Sequence, residues 1–215
     1  MTTSIEIGAI VLCGGKSSRM GQPKHLLPFG NEFVLQRVVR ELSGITTKIV
    51  IVAAPDQEIP PLPVECQLVR DEVTYQGPLS GLMYGMQALE NDVEAAYLSG
   101  CDVPLLKSEF VKEMVRHLDT AEIAVPFEEK FLHPLASVYR TSLRTRAEEL
   151  IAAGERRPRQ LIESSTTHYV PCEDLRGVDQ NLDSLRNMNT PEAYAELLEI
   201  AGVSEITERR FPHPQ

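Results

Sequence analysis

Short apolar runs alternate along this chain with segments of helical periodicity, and that alternation restricts the fold more than any other feature. The first run, Ile7–Leu12, stops abruptly at Gly14-Gly15. Lys48–Ala54, Gln67–Arg70, Ala95–Leu98, Ile123–Pro126 and Leu135–Tyr139 follow as further strand candidates. Between them, Phe33–Leu42 and Leu79–Leu89 space their apolar residues as one face of a helix. A helix is expected to start near the cap Ser108, and Thr141–Ala153 reads as another. Thr190–Ala201 closes the series, with Thr190 as cap and Pro191 at the first position. Strands that are apolar throughout need cover on both faces. The expected architecture is therefore α/β: a Rossmann-like three-layer sandwich with a mainly parallel central sheet flanked by helices.

The 215 residues suit a single domain, expected over 1–201, followed by a loose polar tail over 202–215. With 42% hydrophobic and 24% charged residues the chain reads as soluble and globular. Its apolar runs are too short to span a bilayer, and Met1–Ile7 lacks the basic start and apolar stretch of a signal peptide, so a cytoplasmic location is expected. Cysteines 13, 66, 101 and 172 have no metal-like spacing and are expected to be reduced thiols. A formal charge of −10 argues against nucleic acid or an anionic membrane as partner. One local exception stands out: Lys16, Arg19 and Lys24 fall within nine residues that hold no acidic side chain.

In a parallel α/β sheet, ligands gather at the carboxyl ends of the strands. The loops after the first, third and fourth candidate strands would then be neighbours, and all three are unusual. Leu12-Cys13-Gly14-Gly15 leads into Lys16, Arg19 and Lys24; glycines let backbone N–H groups approach phosphate, and the cations neutralise it. It is not a P-loop, because the glycine required five residues before Gly15 is Ile10, and G-x-G-x-x-G is absent too. Asp71 and Gly77-Pro78-Leu79-Ser80-Gly81 form the second loop, where a helix start could receive a base or ribose. Gly100-Cys101-Asp102-Val103-Pro104 is the third, with Asp102 placed as a carboxylate for Mg²⁺. Taken singly, each has an ordinary alternative: a glycine turn with solvated charges, a helix N-terminus, an aspartate capping its own backbone.

Taken in order and spacing, these segments resemble the nucleotidyltransferases that activate sugar phosphates and molybdopterin, and most of all the MobA-type molybdenum cofactor guanylyltransferases. The resemblance extends to His133-Pro134, Gly154-Glu155-Arg156-Arg157 and Asn187-Met188-Asn189-Thr190-Pro191, and so covers about residues 7 to 200. It implies a nucleotide-diphospho-sugar transferase-like fold. It also implies that Leu12, Cys13, Gly14 and Gly15 bind the nucleotide through their backbone, and that Lys24 and Arg19 contact its phosphates. Asp71 and Asp102 would be nucleotide-site carboxylates, with Asp102 the Mg²⁺ ligand. Gly77, Pro78, Leu79 and Gly81 would lie against guanine and ribose, and Arg156, Asn187 and Asn189 would receive the pterin. The implied substrates are GTP and molybdenum-molybdopterin, with room for a protein that delivers the pterin. The implied reaction is attack of the pterin's terminal phosphate on the α-phosphorus of GTP, catalysed through Lys24, Arg19 and Asp102.

Two positions depart from the pattern. Cys13 stands where alanine is usual, and Ala53-Ala54 ends the second strand where some relatives present an asparagine. Three rival readings stay open: a cytidylyltransferase for the same pterin, a transferase for another phosphorylated acceptor, and a nucleotide-binding protein without chemistry. Asn187 and Asn189 favour the guanylyl branch over the cytidylyl one, which tends to carry carboxylates there.

Overall fold

A computed structural model of the protein describes residues 5–13, 22–70 and 77–204. In chain order its elements are β1 (Ile7–Leu12), β2 (Pro28–Phe29), β3 (Glu32–Phe33), α1 (Val34–Ser43), β4 (Ile49–Ala53), β5 (Gln67–Arg70), α2 (Pro78–Leu89), β6 (Ala95–Gly100) and α3 (Ser108–Arg116). They continue with β7 (Ile123–Glu128), β8 (Phe131–Leu132), β9 (Ala136–Arg140), α4 (Arg144–Ala152), α5 (Arg159–Glu163), β10 (Thr167–Pro171), α6 (Cys172–Leu175) and α7 (Pro191–Ala201). The main sheet has the order β10-β7-β9-β6-β1-β4-β5, with β8 added to β7, while β2 and β3 pair separately.

Strands β5, β4, β1 and β6 are parallel, as expected. The exceptions are β9, antiparallel to both β6 and β7, and the two-residue β8, antiparallel to β7. Their direction has a local cause: the chain turns back after β7 at Glu129-Lys130 and runs through β8 and His133-Pro134 into β9, and a connection this short reverses the strand. The His133 N–H donates to the Pro126 carbonyl at 3.0 Å, and the His133 carbonyl accepts from Ser137 Oγ at 2.8 Å. These bonds hold the step from β8 to β9 against β7, and they account for His133-Pro134 structurally.

The central strand explains the unbroken apolar runs. Ala9, Val11 and Cys13 join a core with Val38 and Leu42 of α1 and Phe110 of α3. Ile10 and Leu12 point the other way, into a core with Leu79, Leu82 and Met86 of α2. Both faces are covered, so neither can alternate with polar residues.

A third cluster, with Leu27, Phe29, Leu105, Met188, Tyr194 and Leu197, seats α7 on β2 and on the segment after β6. The Tyr194 hydroxyl donates to the Pro28 carbonyl across this contact. Helix α7 starts as expected, with Pro191 first and the Thr190 hydroxyl accepting from Ala193 N at 3.2 Å. Ser108 differs from expectation. Lys107 holds the cap position, and Ser108 is the first helical residue, donating its hydroxyl to the Glu41 carbonyl at 2.8 Å. Among the described residues, no helix is long and apolar enough to cross a membrane. Of the tail expected at 202–215, residues 205–215 lie outside the described residues.

Candidate active site

Strands β1 and β6 are adjacent, with Leu12 opposite Gly100. The chain leaves β1 toward β4 on one side and reaches β6 on the other, so their carboxyl ends mark the switch point where such sheets bind ligands. Cys13 and Cys101 follow side by side: Cys13 N donates to the Val52 carbonyl at 2.8 Å, and Cys101 N to the Leu12 carbonyl at 3.0 Å. A thiol–thiol hydrogen bond to Cys101, reinforced by burial, pushes the Cys13 pKa well up, so its side chain is a neutral thiol. All four cysteines are free.

Next to this strand pair the structure assembles a polar group from three distant parts of the sequence. Lys24 Nζ donates to Asp102 Oδ2 at 2.8 Å and to Asn189 Oδ1 at 2.5 Å. Asn189 Nδ2 in turn donates to Asn187 Oδ1 at 2.9 Å. The alternation Asn-Met-Asn explains the display. Met188 is fully buried beneath the segment, its N–H donating to the Asp102 carbonyl at 3.0 Å, while Asn189 reaches the lysine and Asn187 pairs with Asn189. Lys24 and Asp102 side chains are 18% and 19% exposed, which strengthens their pairing relative to a surface ion pair yet leaves them open to a ligand.

Asp102 fits a Mg²⁺ ion on its own terms. Gly100 makes room for the carboxylate itself, since a Cβ there would meet Asp102 Oδ1 at 2.6 Å. Among the described residues no group of three or more histidine, cysteine, aspartate or glutamate side chains could hold a metal. An all-protein cage is therefore absent from that set. A single carboxylate suits Mg²⁺, which fills its shell with phosphate oxygens and water.

The start of α2 lies against Arg156. Gly77 has φ +95°, and a Cβ on it would meet the Arg156 carbonyl at 2.5 Å. That carbonyl accepts from Leu79 N at 3.1 Å, while Pro78 occupies the first turn. The Arg156 guanidinium donates to the Ile151 and Glu155 carbonyls. Arg156 thus sits with Gly77–Leu79, whereas Asn187 and Asn189 sit with Lys24 and Asp102. Gly81 packs under β1, where a Cβ would meet Leu12 Cδ2 at 2.9 Å. Gly14, Gly15, Arg19 and Asp71 lie outside the described residues.

Two groups were not legible as site features in the sequence. Gln57 Nε2 donates to the Cys13 carbonyl at 2.7 Å, its Oε1 accepts from Ala54 N at 3.1 Å, and its amide also meets His25 Nδ1 at 2.9 Å. The one hint was the apolar Ala53-Ala54 end of the second strand, which leaves this polar work to a side chain further on. The second group is Lys107, whose Nζ reaches Asp179 at 2.6 Å and Asp183 at 3.3 Å. It ties the segment before Asn187 to the segment after Asp102, and no spacing rule announces it.

A mainly parallel α/β sheet with a paired lysine and carboxylate at its switch point is a frame that suits nucleotide binding. The sequence profile of the MobA-like NTP transferase domain matches residues 9–170, and the chain belongs to that family. It is 36% identical over 196 residues to a protein of Mycobacterium avium named probable molybdenum cofactor guanylyltransferase, covering 88% of this chain and 94% of that one. In fold it is similar to molybdopterin-guanine dinucleotide biosynthesis protein A from Archaeoglobus fulgidus, with TM-score 0.75, 22% identity and coverage of 91% and 98% of the two chains. The fold is also that of 2-C-methyl-D-erythritol 4-phosphate cytidylyltransferase from Thermus thermophilus, with TM-score 0.67, 13% identity and coverage of 91% and 98%.

Proposed function

We propose that the protein transfers GMP from GTP to the terminal phosphate of molybdenum-molybdopterin, releasing pyrophosphate and forming the guanine dinucleotide cofactor. One observation carries the reading: a single ammonium, Lys24 Nζ, bonds both the carboxylate expected on the nucleotide side and the carboxamide expected on the acceptor side. The names of the relatives supply the acceptor. In the reaction, an oxygen of the acceptor phosphate forms a bond to the α-phosphorus. The bond from that phosphorus to the oxygen bridging toward the β-phosphorus breaks, and pyrophosphate leaves with the electron pair. Such chemistry asks for alignment and charge neutralisation rather than a protein nucleophile.

Lys24 would neutralise charge growing between the two substrates, assisted by Arg19. Asp102 would hold Mg²⁺, which supplies further neutralisation of the triphosphate when bound, and Asp71 would be a second carboxylate of the nucleotide site. The backbone of Leu12–Gly15 would line the phosphates, Gly77, Pro78, Leu79 and Gly81 the guanosine, and Asn187, Asn189 and Arg156 the pterin. One catalytic domain over 1–201, working in the cytoplasm and receiving its pterin from a delivering protein, completes the reading.

The test is pyrophosphate release with Mg²⁺ and molybdenum-loaded molybdopterin, supplying GTP, CTP, ATP or UTP separately. Preference for GTP is expected. Preference for CTP would move the chain to the cytidylyl branch, and no turnover with any nucleotide would overturn the proposed acceptor.

A further inference from the structure

Two chain segments meet beside the site. One leads from Asp102 to Lys107, just before α3, and the other from Asp179 to Asn189, just before α7. They are joined at both ends. At the site end, Met188 N donates to the Asp102 carbonyl at 3.0 Å, and Lys24 Nζ bridges Asp102 Oδ2 and Asn189 Oδ1. At the far end Lys107 makes the joint. Its N–H donates to Ser184 Oγ at 3.1 Å, and its Nζ to Asp179 Oδ1 at 2.6 Å and Asp183 Oδ2 at 3.3 Å.

Asp179 is the centre of this far joint. Its Oδ1 takes the lysine while its Oδ2 accepts from Ser184 N at 2.8 Å, so one carboxylate ties a side chain of the first segment to the backbone of the second. Asp179 and Ser184 are buried, and their bonds to each other and to Lys107 replace those that water would supply. The backbone between them has to be held. Leu182 has φ +53°, a left-handed conformation that leucine adopts only where its surroundings impose it. Its N–H donates to the Asp179 carbonyl at 2.8 Å, and its carbonyl accepts from Leu185 N at 3.0 Å.

Apolar contacts alone would seat the second segment without locating it. Leu182 packs into the core that holds Val103 and Leu106, and Met188 into the cluster under α7. Such contacts are non-directional, whereas charge-assisted hydrogen bonds to a buried carboxylate tolerate little displacement. We infer that Lys107 and Asp179 are positioning residues for the acceptor: they set where Asn187 and Asn189 stand relative to Asp102 and Lys24. They act through the segment rather than by touching substrate. This rests on the reading of Asn187 and Asn189 as the acceptor side. The turn proposed for guanosine is held separately, by Leu79 N donating to the Arg156 carbonyl at 3.1 Å, so a loosened joint at Lys107 should spare the nucleotide.

The inference predicts a selective effect. Lys107→Met removes the ammonium at similar length, and Asp179→Asn removes the charge it meets. Both should raise the KM for the pterin acceptor about tenfold, while GTP affinity by calorimetry stays within about twofold of the wild type. Lys107→Arg keeps a cation on a side chain that is 40% exposed, and should hold the acceptor KM within about threefold. Thermal melts set an assay temperature at which every variant is folded. If neither charge variant folds, Ser184→Ala, which removes only the acceptor of the Lys107 N–H, carries the test with a rise of about threefold. A double-mutant cycle separates positioning from general damage: in an Asn189→Ala background, Lys107→Met should raise the acceptor KM by a clearly smaller factor than in the wild type. Wild-type protein without turnover would overturn the proposed function, and this inference with it. Wild-type turnover with an unchanged acceptor KM in the variants would overturn this inference alone. So would a GTP affinity that falls in step with the acceptor KM, or a Lys107→Met effect of full size in the Asn189→Ala background.

Discussion

Lys24 and Asn189 are 165 residues apart in the chain, yet Lys24 Nζ donates to Asn189 Oδ1 at 2.5 Å while also holding Asp102 Oδ2 at 2.8 Å. The lysine therefore stands at the boundary between the two proposed substrates. If its charge is used there, Lys24→Ala should lower kcat by roughly 10²- to 10³-fold, the usual cost of removing one donor aimed at developing charge. Asn189→Ala should act differently, raising the KM for the pterin acceptor with a smaller effect on the KM for GTP. Steady-state kinetics with each substrate varied in turn checks both, and equal effects on the two KM values would remove the division of labour.

Asp102 makes the clearest metal prediction. Excess EDTA should stop turnover, and added Mg²⁺ should restore it. Asp102→Asn keeps the shape but not the charge, and kcat should drop roughly 10³-fold while nucleotide binding survives in part. A variant that keeps wild-type turnover at saturating Mg²⁺ would show that another group holds the ion.

How far the sequence disclosed these relationships depended on whether a signal was local. The strands of the central sheet and the start of α2 were legible because continuous apolar runs and Gly77-Pro78 follow directly from burial and from helix-start chemistry. Cys13, Lys24, Asp102 and Asn189 were legible as a set only through their order in the chain. The bond of Lys24 to Asn189 is a product of topology, since it needs α7 seated on β2 by Met188 and Tyr194. The antiparallel β9 and the two-residue β8 escaped because their registers are decided by a turn rather than by periodicity. Gln57, Lys107 and Asp179 escaped for a related reason: hydrophilic residues in connecting segments look alike until the fold gives them partners.

Asp179 yields a prediction about stability. It is fully buried, and burial alone would raise its pKa, but the Lys107 ammonium and the Ser184 N–H hold it below its ordinary value of 3.8. A carboxylate depressed in the folded state contributes stability that is present above its unfolded pKa and is lost as pH falls through the lower folded value. Asp179→Ala should cost about 3 kcal/mol at neutral pH, the low end for breaking a buried pair because the Lys107 side chain is 40% exposed. Urea melts at several pH values check the sign: the gap between wild type and Asp179→Asn should narrow as pH falls below about 4. A gap that widens on acidification would assign the stability to another group.

Gly77 and Gly100 separate stability from activity within one pair of substitutions. An alanine at 77 meets two obstacles that cannot move aside cheaply: φ is +95°, and the Cβ would lie 2.5 Å from the Arg156 carbonyl, which is backbone. Gly77→Ala should therefore cost about 3 kcal/mol, or roughly 10 °C in Tm for a domain of this size. An alanine at 100 meets Asp102 Oδ1 at 2.6 Å, the free end of a side chain that can rotate. The fold should absorb Gly100→Ala for about 1 kcal/mol, while the carboxylate turns away from its present position beside Lys24. Turnover at low Mg²⁺ should then fall well below wild type, with partial recovery as Mg²⁺ is raised. Loss of stability in Gly100→Ala comparable to that in Gly77→Ala would mean that the Asp102 side chain is held too firmly to yield, and that the space beside it belongs to the packing of the strand end.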